Sequence, residues 1–319
     1  MERFRDGVWP VMLTPLQEDG RLDMAGLEAL VAWYIAQGCD GLFAVCQSSE
    51  MFFLSLEERV ALARAAVRWS AGRVPVVVSG HISQSMQDQA RELCAMADCG
   101  ADAVVLVSNR LVSSPEDDDA VLIANLRALL RALPSDMPLG FYECPYPFKR
   151  LLSPQVLRFC LDSGRFSFLK DTSCDMNALR EKLCVLRGSK MKLYNANTAT
   201  LLESLRAGAH GYTGVMANFH PALYGWLIRH WQAQPGEAEM LQSVLSMCAL
   251  IELKHYPACA KRYLRRAHGL PIRDATRREP QPPIPCDEDA ELAQLARLSA
   301  HLCARLSQHE HCATPVAQS

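Results

Sequence analysis

The run Ala103-Val104-Val105-Leu106-Val107 is apolar from end to end. Residues 116–133 then show helical spacing, and the chain returns to a second strand-like run, Leu139-Gly140-Phe141-Tyr142. A strand without polar alternation is buried on both faces, the condition of a parallel sheet covered by helices. A helix between two strands is the crossover that parallel neighbours require. The same alternation extends in both directions. Strand-like runs fall at 8–13, 41–45, 74–79, 103–107, 139–142, 166–170, 192–194 and 211–213. Helical spacing follows each in turn, at 25–37, 55–71, 85–99, 116–133, 154–163, 176–187, 198–207 and 221–234. Ser55 ahead of Glu58 is the pattern of a capping box, and Ser153-Pro154 reads as an N-cap followed by proline at the first helical position.

Eight strand–helix units predict an α/β fold, a TIM (β/α)8 barrel over residues 1–234. An open doubly wound sheet is the alternative, but no G-x-G-x-x-G follows the first strand, which weighs against a dinucleotide-binding sheet. Residues 235–319 form a helical C-terminal extension, expected to cover the barrel or a subunit interface. It has helical spacing at 237–252 and 257–268, a Pro-rich break at 279–285, an amphipathic helix from 287 to 307 and a polar tail expected to be flexible.

The 319 residues carry 33 basic and 35 acidic groups, a formal charge of -2, and half of them are hydrophobic. Neither a basic footprint for nucleic acid nor one for an anionic membrane is present, so the expected partner is a small molecule. No apolar run reaches the ~18–20 residues that span a bilayer, and the N-terminal Met1–Asp6 lacks the apolar core of a signal peptide. The thirteen cysteines include no C-x-x-C and read as reduced thiols of a cytoplasmic protein. No strand end gathers the His, Asp or Glu residues of a metal site. The tail residues His309, His311 and Cys312 read as solvated chain rather than ligands.

Barrel active sites lie at the C-terminal ends of the strands. Seven lysines occur, and one of them, Lys170, closes the apolar strand Phe166-Ser167-Phe168-Leu169. An amine with apolar walls beneath it loses its preference for the charged form, as a Schiff-base nucleophile requires. The plain alternative is a Lys170–Asp171 pair at the strand end. Tyr142 closes the neighbouring strand, where a phenol can relay protons, or serve simply as a half-buried strand aromatic. The second strand ends in Cys46-Gln47-Ser48-Ser49-Glu50, either donors for a carboxylate or a polar turn.

Over roughly residues 7–280 these features join others: Val11-Met12-Leu13-Thr14-Pro15, Gly38-Cys39-Asp40-Gly41-Leu42, Gly100-Ala101-Asp102-Ala103, Tyr142-x-x-Pro145, Leu169-Lys170-Asp171-Thr172-Ser173, Gly208-Ala209-x-Gly211, and Tyr256-Pro257 with Lys261. Taken together, the chain resembles the dihydrodipicolinate synthase / N-acetylneuraminate lyase superfamily of class I Schiff-base pyruvate aldolases. The resemblance implies a barrel assembled as a dimer or homotetramer. In it Lys170 forms an imine with a pyruvate-type 2-oxo acid, Tyr142 shuttles the proton and the hydroxyl of Ser48 assists. It implies no cofactor, because the lysine imine is itself the electron sink. Gln47, Ser49, Thr172, Asn195, Thr213 and Arg110 are the expected substrate-binding residues, with Lys149 and Asn197 nearby.

Three departures stand out. The family's G-T-T-G-E or G-S-T-G-E loop is Cys46-Gln47-Ser48-Ser49-Glu50 here. Pro147 stands where the synthases have an arginine five residues after the tyrosine, and Leu111 stands near where they have a second tyrosine, contributed across the dimer. The expectation is therefore a lyase or aldolase other than authentic dihydrodipicolinate synthase. The alternatives are a dehydratase or hydratase-aldolase of the same superfamily, or a barrel that binds a ligand without turnover.

Overall fold

The structure is a computed structural model describing residues 4–278 and 284–312, with the backbone alone for 309–312. Most of the Pro-rich break, the side chains of His309, His311 and Cys312, and the tail from 313 lie outside the described residues.

Strands and helices alternate: β1 (Gly7–Val8), α1 (Met24–Ala36), β2 (Leu42–Ala44), α2 (Leu56–Ser70), β3 (Val76–Val78), α3 (Met86–Ala97), β4 (Ala103–Val107), α4 (Asp119–Ala132), β5 (Leu139–Tyr142), α5 (Pro154–Asp162), β6 (Phe166–Asp171), α6 (Met176–Leu186), β7 (Lys192–Asn195), α7 (Leu201–Arg206), β8 (Gly211–Tyr212) and α8 (Pro221–His230). The strands pair in the order β1-β8-β7-β6-β5-β4-β3-β2, each neighbour parallel. The remaining edge closes just beyond β1, where Phe43 N–H donates to Pro10 O at 3.0 Å and Met12 N–H to Phe43 O at 2.9 Å. The result is the expected (β/α)8 barrel with its helices outside.

Local chemistry sets the boundaries. The capping box at α2 is present, with Glu58 N–H donating to Ser55 Oγ at 3.2 Å and Ser55 N–H to Glu58 Oε2 at 2.9 Å. Helix α4 starts later than its spacing suggests because Asp118 caps it, accepting from Val121 N–H at 2.9 Å. Helix α7 starts at Leu201 rather than 198, because the Asn197 side chain accepts from Thr200 N–H at 3.1 Å and holds a turn there. The first strand, read as 8–13, keeps a two-residue ladder; Pro10 offers no N–H to extend it.

Inside the barrel lies an aromatic cluster. Phe168 packs against Tyr194, Trp9 and Phe43 with ring centroids 4.8, 5.5 and 5.8 Å away. Side chains two apart on a strand share a face. Lys170 therefore stands on the inward face of β6, directly above Phe168, and pairs in register with Tyr142 on β5 and Tyr194 on β7.

Beyond α8 come α9 (Pro235–Cys248), a 3-10 turn (Ala249–Leu253), α10 (Ala258–His268) and α11 (Cys286–Cys312). This extension is tied to the barrel through Glu50. Its carboxylate accepts from buried Lys261 Nζ at 2.8 Å, from Thr276 Oγ1 at 2.6 Å and from Arg277 N–H at 2.6 Å. Glu50 ends the 47–49 loop in a left-handed conformation, φ 61°, so the same ion pair fixes the strand-2 loop.

At the β1–β8 seam, Gly211 has φ +152° and a Cβ there would lie 1.9 Å from Gly7 O. Gly211→Ala is expected to destabilise the fold by about 3 kcal/mol or more, read as a fall in the denaturant midpoint; an unchanged midpoint would show the seam to be looser than described.

Candidate active site

A cavity of about 270 Å³ opens at the C-terminal ends of the strands, with Lys170, Tyr142, Gln47, Ser48, Thr172 and Asn197 in its wall. Lys170 is 5% exposed. Its Nζ lies 4.4 Å from the Tyr142 ring centroid and 5.6 Å from that of Phe43. Among the described residues it makes no hydrogen bond or ion pair. Burial pushes its pKa down to about 8, with the Cys46 and Cys144 thiols and Glu252 pulling the other way. About one amine in ten is then neutral at pH 7, against about one in three thousand for an ordinary lysine.

The pairing of Lys170 with Asp171 does not occur. Asp171 is the next residue on β6 and faces the helix layer, where it meets Lys182 of α6. Glu143, which follows Tyr142, reaches the same ammonium. All three groups are buried. Burial opposes the Lys182 charge, yet the two carboxylates outweigh it and raise its pKa. One ammonium cannot neutralise both acids, and burial, with Asp171 adding to it against the pull of Lys182, leaves Glu143 raised to about 7. The Glu143 carboxylate also accepts from Leu152 N–H at 2.7 Å and Thr172 N–H at 3.2 Å, bracing the loops after β5 and β6.

Tyr142 donates to Gln47 Oε1 at 3.3 Å, and the Cys144 thiol approaches the same oxygen at 3.5 Å. Burial holds the Tyr142 phenol well above its ordinary pKa, so it is a proton donor at neutral pH. Ser48 shares the cavity wall with Tyr256, whose phenol is likewise raised by burial. Tyr256 accepts from Asn218 Nδ2 at 3.0 Å, and Asn218 accepts in turn from the Tyr34 hydroxyl.

The expected binding residues divide. Gln47 and Thr172 line the cavity beside Lys170, Tyr142 and Ser48, although the Thr172 hydroxyl donates to Glu143 O. Four others lie outside its wall, each committed elsewhere. Ser49 Oγ donates to Met12 O at 2.6 Å and shapes the loop. Asn195 Nδ2 donates to Thr200 and Ser204 hydroxyls at 3.0 and 3.1 Å. Thr213 Oγ1 donates to Trp9 O at 2.8 Å. Arg110 stacks over Phe52, 5.5 Å from its centroid, and donates to Ile82 O at 3.2 Å. Lys149 and Asn197 do reach the cavity. Sequence reasoning missed Glu252, Tyr256 and Arg278, all brought to the cavity by the C-terminal extension. The motif Tyr256-Pro257 was the available signal for one of them.

Fold and site together define a parallel (β/α)8 barrel whose mouth holds a desolvated, unpaired lysine in a wall shared with two phenols. Residues 5–299 match the Dihydrodipicolinate synthetase family, and the chain belongs to that family, a group of class I aldolases and lyases. It is 27% identical over 233 residues to the 4-hydroxy-tetrahydrodipicolinate synthase of Shewanella sp. (strain MR-4), an overlap of 73% of this chain and 76% of that one. A prophage protein of the dihydrodipicolinic acid synthase family from E. coli K12, solved in complex with pyruvate, superposes with a TM-score of 0.81 at 22% identity, covering 92% of this chain and 98% of its own. The chloride-inhibited dihydrodipicolinate synthase of Acinetobacter baumannii, also complexed with pyruvate, gives 0.80 at 24% identity over 93% and 99%. Among the described residues no helix is long and apolar enough to cross a membrane.

Lys170 and Lys182, both buried, should respond oppositely to removal of charge. Lys170→Met is expected to stabilise the fold by about 3 kcal/mol at pH 7. A lowered amine pKa penalises the folded state fully below about 8. The gain should therefore shrink as pH rises from there and vanish near the ordinary lysine value of about 10.4. Lys182→Met strands two buried carboxylates and should destabilise by about 3–5 kcal/mol. Urea midpoints of the two variants moving in the same direction would contradict this assignment.

Proposed function

We propose that the protein is a Schiff-base lyase or aldolase acting on a pyruvate-type 2-oxo acid through Lys170, and that it is not an authentic dihydrodipicolinate synthase. The observation that carries the reading is the Lys170 amine itself, buried, unpaired and facing the cavity. Pyruvate is the ligand named for two proteins of the same fold.

In this reading the neutral amine attacks the ketone carbon, and the resulting carbinolamine loses its oxygen as water. Tyr142, kept protonated by burial, donates the proton that departs with that oxygen; Ser48 assists from the strand-2 loop. The protonated imine then draws in the electron pair of a bond to the third carbon, forming the enamine double bond between the second and third carbons while the imine nitrogen takes up the imine π pair. That pair comes from a C–H bond in condensation or exchange, its proton passing to the Tyr142 oxygen that has just given one up. In cleavage it comes from the bond between the third and fourth carbons, the fourth carbon leaving as a carbonyl while its hydroxyl proton goes to the same oxygen. Protonation of the enamine at the third carbon in cleavage or exchange, or its addition to an aldehyde carbon in condensation, regenerates the imine, which water hydrolyses to release the product and restore Lys170. The imine is the electron sink, so the chemistry calls on no cofactor or metal. Gln47 and Thr172 flank the imine position as substrate contacts. Against dihydrodipicolinate synthesis stand Pro147 in place of the expected arginine and Leu111, buried, where the second tyrosine is expected. The curated relatives carry the synthase name, so this part of the proposal needs a direct assay.

Incubation with pyruvate and borohydride, followed by intact mass measurement, should leave one permanent adduct on wild-type protein and none on Lys170→Ala. Tyr142→Phe should still trap the adduct, yet exchange the pyruvate methyl protons with solvent at least about 100-fold more slowly. Absence of a wild-type adduct would overturn the function; normal exchange in Tyr142→Phe would overturn the role of that phenol. With pyruvate and aspartate semialdehyde, turnover at the rate of a true synthase would overturn the exclusion.

A further inference from the structure

Among the described residues that line the cavity, one carries a carboxylate, Glu252, and the chemistry above makes no use of it. It sits on the 3-10 turn Ala249–Leu253, half-buried, and makes no hydrogen bond or ion pair with any described residue. Lys170 apart, the other charged groups in the wall are engaged. Lys149 Nζ donates to Thr172 O at 2.8 Å and Arg278 donates to Tyr256 O at 3.2 Å. Gln47 accepts from Tyr142, and Asn197 Oδ1 accepts from Thr200. Both cations besides Lys170 thus turn toward main-chain carbonyls, and neither pairs with Glu252. Burial raises the Glu252 carboxyl, and Lys170 is the charge that acts against that rise. The acid and the reactive amine therefore sense one another across the same cavity.

An unpartnered acceptor in a partly desolvated site is completed by a ligand that donates to it and is violated by one that brings a second negative charge. We propose that Glu252 sets the substrate class: it admits 2-oxo acids whose far end is uncharged or a hydrogen-bond donor, and rejects those ending in a second carboxylate. The inference rests on imine formation at Lys170 and adds to it a residue that determines specificity.

The test compares two 2-oxo acids of equal length, 2-oxopentanoate and 2-oxoglutarate, by the concentration that half-saturates borohydride trapping. Each protein supplies its own ratio, so a change in overall reactivity cancels. Wild type should require at least about tenfold more 2-oxoglutarate, and in E252Q and E252A the ratio should narrow at least about fivefold. A wild-type ratio near one, or a ratio that persists in both variants, overturns the role of Glu252. Pyruvate is run alongside: failure of pyruvate to give any adduct overturns the function proposed above, whereas a pyruvate adduct with no discrimination overturns this inference alone.

Discussion

Lys182 decides what Lys170 can be. The strand that delivers the reactive amine to the barrel interior also delivers a carboxylate one residue later, and a free carboxylate so close would hold the amine protonated. Strand alternation sends Asp171 to the opposite face, and Lys182 from α6 binds it there together with Glu143. Both carboxylates are thereby held on the far side of the sheet from Lys170. In front of the sheet remain Lys170, the Phe43 and Tyr142 rings, and the aromatic cluster below. Desolvation then outweighs the pull of Cys46, Cys144 and Glu252 on the amine, which is why its pKa falls while that of its buried neighbour Lys182 rises.

A second buried ion pair performs a comparable service for the strand-2 loop. Glu50 is fully buried, and Lys261, equally buried, joins it to α10 while Arg277 continues the connection to Glu58 on α2. Thr14 Oγ1 donates to Ser49 O at 2.7 Å from the other side. With the loop clamped between the first strand's continuation and the extension, Gln47 and Ser48 are the side chains left to face the cavity. The C-terminal helices are therefore part of the site: they anchor the loop and contribute Glu252, Tyr256 and Arg278 to the wall.

Much of this was legible in the chain. Period and punctuation located all eight strands, because strands buried on both faces are written as unbroken apolar runs, and the capping signals at Ser55 and Ser153 mark real helix starts. Lys170 and Tyr142 were readable as strand-terminal polar groups, and register then makes them direct partners. What stayed hidden depends on the direction in which a side chain leaves the backbone. Asn195 and Thr213 also end strands, but their side chains turn to neighbouring backbone and hydroxyls, and Ser49 points down while Ser48 points out. Glu252 lies in a stretch read as continuous helix. It enters the cavity because α9 stops at Cys248 and a tighter turn follows, a change of winding that hydrophobic spacing does not record.

The account stands on an amine that burial, with no hydrogen bond or ion pair to a described residue, has brought down to a pKa of about 8. With seven lysines in the chain, labelling their ε-carbons with 13C and following each resonance against pH reads that property directly, with Lys170→Met assigning the peak. The account predicts one lysine titrating near pH 8, present in wild type and missing from the variant. A Lys170 resonance that stays in its charged position past pH 10 would contradict it.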